Sequence, residues 1–209
     1  MGIKFRYVIV MMAGVALLSL QCVKKYQGCP KEGYEYVNST LRSWYTPGSD
    51  SIALGDTMIL EASAPKSFID ESTYASVKNT SSIINGPLGI SMLYPVYKPA
   101  VDSFELTAEV GKVIKDMANF TSGQLEGFRT IEWDGTSVDS YKIRINITAR
   151  ARGIYALALD EQGYKDADCA RYKYLPKVGN ADQHLDYWIS ATGNLSDEVR
   201  YYTYCVKVY

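Results

Sequence analysis

The chain has 209 residues, with 22 Lys and Arg against 23 Asp and Glu and one His, for a net charge of −1. That length admits one domain or two small ones, and the absence of a basic stripe excludes a surface built to neutralise nucleic-acid phosphates. The composition, with 18 Tyr, many Val, Ile and Thr, and scattered turn residues, predicts a β protein.

The N-terminus reads MGIKFRYVIVMMAGVALLSLQCVKKYQG. Lys4 and Arg6 precede an uncharged run from Val8 to Leu20, whereas a spanning helix needs about 18–20 apolar residues. A basic segment followed by a short apolar one predicts a secretory signal. The stretch LLSLQC resembles the lipobox of bacterial lipoproteins, with Gln21 where a small residue is usual. That resemblance implies that the Cys22 thiol takes a diacylglycerol and becomes the mature N-terminus. A signal cut elsewhere and an uncleaved anchor are the alternatives. The expected division is a signal peptide over 1–21, a tether over 22–33 and a single domain over 34–209. Loss of 1–21 removes Lys4, Arg6 and no acid, leaving 20 cations against 23 acids and a charge of −3. Acyl chains, not a polybasic patch, would then hold the protein to the membrane.

Along the mature chain, TMILEASA (57–64) follows a Gly55-Asp56 turn and reads as a strand ending at Pro65. LGISMLYPVY (88–97) and SFELTAEV (103–110) flank Pro99 in a hairpin-like arrangement. VGKVIKDMANF (110–120) carries Val110, Val113, Ile114 and Met117 at helical spacing and predicts the one short helix. GFRTIEW (127–133) closes at Asp134-Gly135, a pair that favours a tight turn. The next strand, SYKIRINITA (140–149), is the clearest: Tyr141, Ile143, Ile145 and Ile147 alternate with polar residues. LDYWIS (185–190) and VRYYTYCVKVY (199–209) read as paired strands across Gly193-Asn194. Short strands at this spacing predict a sandwich or barrel.

RGIYALALDEQGYKD (152–166) sharpens that choice. It resembles the penultimate strand and hairpin of extracellular immunoglobulin-like sandwiches, in which a G-x-Y-x-L-x-L strand runs into a D-x-x-G turn. The resemblance implies that Tyr155 lies at the core edge with its hydroxyl bonded to an earlier loop, and that Leu157 and Leu159 share its face. With the lipobox and SDSIALGDTMILEAS (49–63), the chain is similar to small uncharacterised lipoproteins of the Bacteroidota. The fold expected is therefore all-β, an immunoglobulin-like antiparallel β-sandwich with one short helix, preceded by a signal peptide. The resemblance further implies a cell-envelope, outer-membrane location. It also implies O-glycosylation at D-[ST]-apolar sites, which Ser51 and Thr57 match, Ser51 being favoured because a turn would expose it.

There are four cysteines: Cys22, Cys29, Cys169 and Cys205. With Cys22 lipidated, one disulfide and one thiol remain, and an oxidising compartment permits the bridge. Cys169–Cys205 would close about 36 residues and contribute about 3–4 kcal/mol; Cys29–Cys205 is the alternative.

Residues with catalytic chemistry are sparse. His184, in ADQHLDYW, has no nucleophile on a G-x-S-x-G turn to serve. Glu126, Glu132 and Asp134 are the acidic residues near Trp133, and they read as solvated hairpin positions. Asp166 and Asp168 lack the register of a calcium loop. No C-x₂-C or His pair suggests a metal, and no cofactor is expected.

Aromatic residues concentrate at the C-terminal end, among them Tyr172, Tyr174, Tyr187, Trp188, Tyr201, Tyr202 and Tyr204. In a strand Tyr201 and Tyr202 would face opposite sides. Tyr201, Tyr202 and Trp188 are the candidate binding residues, because exposed aromatic faces suit protein surfaces and sugar rings. The favoured reading is a non-enzymatic, lipid-anchored binding module for a protein or glycan partner. The alternative is a lipid-anchored polysaccharide hydrolase, which would need two converging carboxylates. Five N-x-[ST] sequons (Asn38, Asn79, Asn119, Asn146, Asn194) admit a eukaryotic secreted domain, against which the short cysteine-ended signal argues.

Overall fold

A computed structural model describes residues 36–69, 74, 76–78, 84–114, 127–159, 162–165 and 171–209. The expected signal, tether, Cys22, Cys29, Glu126, Asp166, Asp168 and Cys169 lie outside the described residues. In chain order the strands are β1 (Tyr36–Thr46), β2 (Ser51–Ile52), β3 (Thr57–Pro65), β4 (Ser67–Ile69), β5 (Ser76–Lys78), β6 (Asn85–Tyr94), β7 (Lys98–Pro99) and β8 (Phe104–Val110). They continue with β9 (Lys112–Ile114), β10 (Phe128–Glu132), β11 (Ser140–Ala149), β12 (Gly153–Leu159), β13 (Gln162–Lys165) and β14 (Arg171–Val178). Among the described residues two short α-helices, α1 (Asp186–Thr192) and α2 (Asp197–Tyr202), precede β15 (Thr203–Val208).

Strands neighbour one another in the order β2-β15-β12-β6-β13-β14-β1-β3-β11-β8. The β6–β13 step is a single residue pair, Gly163 with Asn85, so the path divides there into two layers. The layers face each other through their apolar sides. Tyr45 of β1 stacks on Tyr204 of β15 at 4.6 Å, and Phe104 of β8 meets Tyr155 of β12 edge-on at 4.8 Å. One apolar cluster, drawn from both layers, fills the space between. This is the expected β-sandwich, and its reason is the period-2 alternation of strands with one wet face. β11 shows it most clearly: Tyr141, Ile143, Ile145, Ile147 and Ala149 are buried, while the residues between them reach solvent.

The chain enters by serving both layers. β1 pairs antiparallel with β3 and parallel with β14, and after the turn at 47–50 β2 pairs parallel with β15 in the opposite layer. Tyr204 secures that crossover by donating to the Ser49 carbonyl at 2.8 Å. The Tyr155 hydroxyl donates to the carbonyls of Ala151 and Arg152 at 3.1 and 3.2 Å, the tyrosine corner expected of this strand.

Several expected elements differ. The helix over 110–120 is absent from its described part: β9 pairs with β10, matching Val113 to Ile131. Gly111 decides this, because it adopts φ +85° and a Cβ there would stand 2.5 Å from the Glu132 carbonyl. The expected hairpin between 88–97 and 103–110 does not form. β6 turns back only into the short β7, with Ser91 opposite Pro99 and Met92 opposite Lys98, and otherwise pairs with β12 and β10, whereas β8 crosses to the other layer and pairs with β11. Asp134-Gly135 does not make a two-residue turn; the connection is wider, with Asp134 bridged to Lys142. The segment 185–190 is helical, capped by Gly193 in the left-handed region, whose N–H donates to the Ile189 carbonyl. Likewise 197–202 is helical, begun by Ser196, whose hydroxyl accepts from the Val199 N–H at 3.3 Å.

Candidate functional site

The feature that sets this surface apart is an apolar tip at the end of β6. Six consecutive residues, Tyr94 to Pro99, are exposed, and the first four are Tyr94, Pro95, Val96 and Tyr97. Tyr94 is 64% exposed, Val96 63% and Tyr97 59%. β6 carries Leu88, Ile90 and Met92 into the core and Leu93 onto the outer side, so the strand outruns the core only at Tyr94. Tyr97 meets Trp188 of α1 edge-on at 6.3 Å, which joins the tip to the helix, where Ile189 is also exposed. A run of exposed apolar residues this long is a defect in a soluble surface unless something uses it.

α1 is held against the outer face of β6, β12 and β15. Leu93, Ala156 and Cys205 form a second apolar cluster there, covered by Leu185, Tyr187 and Trp188. The segment before the helix pairs with the sheet edge, with the Cys205 N–H donating to the Gln183 carbonyl at 2.9 Å and the Gln183 side chain donating to the Thr203 carbonyl. His184 sits in that turn at φ +55°, its backbone N–H donating to Asp182 and its ring 3.4 Å from the Gly48 carbonyl. It braces the crossover turn and adjoins no nucleophile among these contacts.

Of the expected Cys169–Cys205 pair, Cys169 lies outside the described residues. Cys205 is a free thiol in the cluster under α1, fully buried, because alternation along β15 turns it away from the core and beneath the helix. Burial pushes its pKa up to about 12, partly offset by a backbone hydrogen bond from Trp188. Burial likewise raises Tyr204 to about 12. Both groups fold in their neutral forms, so their contribution to stability is complete below the unfolded pKa, about 8.5 for Cys, and is lost as pH rises toward 12. Cys205 is therefore expected to resist alkylation at pH 8 in the native protein and to react on unfolding, read by site-resolved mass spectrometry. Rapid native labelling of Cys205 would contradict its placement.

The other sequence candidates separate. Trp188 belongs to the tip, half-buried against Tyr97. Tyr201, 46% exposed, meets Tyr202 at 6.4 Å and takes the Lys177 ammonium over its ring at 4.9 Å. The doublet lies on a helix, so its rings diverge by a helical step and not across a strand. Glu132 is paired with Lys112 at 2.7 Å, and Asp134 accepts from the Thr136 N–H and hydroxyl within its own turn. Trp133 is buried between them in sequence. Among the described residues no group of three His, Cys, Asp or Glu side chains gathers to hold a metal. Sequence reasoning missed the tip because YPVY reads as the end of a strand. The signal was Pro95, whose missing N–H closes off strand pairing.

No family model and no curated protein matches the chain. Among solved structures it is similar to a cohesin module from a Clostridium perfringens family 33 glycoside hydrolase, at 11% identity over 80% of this chain and 96% of that one. The TM-score is 0.35, and the likeness bears on neither family nor function.

Proposed function

We propose that the protein is a non-enzymatic binding module of the bacterial cell envelope, anchored to the outer membrane by lipid on Cys22, and akin to small Bacteroidota lipoproteins. The observation that supports it is the exposed apolar tip, Tyr94 to Tyr97 with Trp188, which suits a protein partner better than water. Two arms test it. Cys22→Ser is expected to move the protein from the membrane to the soluble fraction with loss of lipid labelling; unchanged partitioning would sink the anchor. A photo-crosslinker at Val96, expressed in the native host, is expected to trap a defined envelope protein. Tyr94→Ala with Tyr97→Ala, both exposed rings, should remove that product with little change in thermal stability, and a product that survives both substitutions would exclude the tip as the docking surface.

O-glycosylation belongs to the same reading, with the order of sites reversed. Ser51 is half-buried in β2, its hydroxyl donating to Asp50, whereas Thr57 is exposed, its hydroxyl 2.7 Å from that of Thr148. Intact mass of protein from the native host is expected to show added hexose that disappears in Thr57→Ala. Unmodified protein would remove the expectation.

A further inference from the structure

On the opposite layer, the outer face of β1, β3 and β11 carries a row of side chains in cross-strand register. Trp44 stands opposite Glu61, and Glu61 opposite Arg144. Beyond Arg144 the β11–β8 register shifts, and Glu109, in the shifted stretch of β8, accepts from Arg144 Nε at 2.6 Å. Arg144 also bonds Glu61, and Asn146 donates to Glu109 at 2.9 Å. Trp44, Glu61, Ser63, Lys142 and Arg144 line an open depression of about 320 Å³, at the lower end of small-ligand sites.

Trp44 is 43% exposed, although the indole is the largest apolar side chain and gains most from burial. Its edge is fixed: a Cβ on Gly179 would lie 2.6 Å from Nε1, so the ring rests directly on that glycine. The result is a half-exposed indole seated on Gly179 beside a row of paired donors and acceptors.

We infer that this row is a binding site for a neutral glycan, with a pyranose stacked on Trp44 and its hydroxyls reaching Glu61, Arg144, Lys142 and Ser63. The chemistry selects that ligand class. The negative face of the indole attracts the C–H edge of a sugar ring. Each sugar hydroxyl donates and accepts, matching carboxylates that only accept and cations that only donate. Two cations, Lys142 and Arg144, balance two carboxylates, Glu61 and Glu109, so the row has no net charge to favour an anionic or cationic ligand. Ordering costs are low because Arg144 is already held between two carboxylates. This site is separate from the tip proposed above and does not depend on it.

The test uses the full-length protein in detergent against immobilised neutral hexasaccharides of glucose, mannose and xylose, with polygalacturonate as an anionic control. At least one neutral hexasaccharide is expected to bind, and Trp44→Ala to weaken it by at least about tenfold. Glu61→Gln should weaken it less, and Gly179→Ala, which displaces the indole, should weaken it without altering Glu61 or Arg144. Melting temperature checks that each variant is folded, and Tyr97→Ala should leave glycan binding unchanged. Failure of every neutral hexasaccharide to bind, a preference for polygalacturonate, or binding indifferent to Trp44→Ala in a folded protein would each overturn the inference.

Discussion

Ile145→Asp is expected to abolish the folded state, whereas Arg144→Gln, one residue away, should cost no more than about 1 kcal/mol. Ile145 is fully buried, flanked across the sheet by Leu60 of β3 and Ala108 of β8. A carboxylate there has no cation in the core cluster to pair with. An unpaired buried charge costs several kcal/mol, more than about 4 kcal/mol by comparison with the most damaging substitutions. Domains of this kind are stable by only about 5–15 kcal/mol. Arg144 lies on the wet face, with its guanidinium shared between Glu61 and Glu109. Gln is a cleaner control than Asp, which would set a third carboxylate beside those two. Urea unfolding followed by circular dichroism separates the cases, and equal damage from the two substitutions would refute the assignment of faces.

Tyr155→Ala is expected to destabilise by about 3–5 kcal/mol, as aromatic truncations in cores do. Tyr155→Phe should cost only about 1–2 kcal/mol, the loss of a buried hydrogen bond. The ring is fully buried and packs edge-on against Phe104 from the facing layer, so alanine opens a void between the sheets. Phenylalanine keeps that packing and loses only the bonds to the Ala151 and Arg152 carbonyls. The two values, from chemical denaturation, divide the corner into packing and hydrogen bonding. A Phe variant as unstable as the Ala variant would mean that the hydroxyl, not the ring, holds the layers together.

The tyrosine corner was legible because it is local. Gly153, Tyr155, Leu157 and Leu159 lie in one strand, and alternation alone sends the tyrosine and leucines to one face. The same holds for β3 and β11. The errors fall where two local patterns are degenerate. Val110, Val113 and Ile114 fit a helical stripe and a strand equally well, and the choice was made by Gly111 approaching a carbonyl 21 residues away. At 185–202 the reverse occurred. Ser196 followed by Asp197 and Glu198, and Gly193 after an apolar turn, are helix caps that the tyrosine content obscured.

The candidate surfaces were less legible for the same reason. Trp188 was singled out from sequence, but its partner Tyr97 lies 91 residues earlier, and only packing of α1 across β6 brings them together. Trp44, Glu61 and Arg144 carry no motif, because each is an ordinary outward residue of its own strand.

The sequence by itself determined the all-β class, the buried faces of β3 and β11 and the Tyr155 corner, since these follow from a two-residue period and nearest neighbours; β1 and β14 carried no such pattern. It also carries the apolar run ending in Cys22 from which the anchor is proposed. Only the tertiary structure decided which strands pair, that Cys205 ends as a free thiol beneath α1, and that an apolar tip and a Trp44 row stand on opposite layers. Those outcomes depend on strand register and on contacts spanning tens of residues, and a one-dimensional pattern contains no term for either.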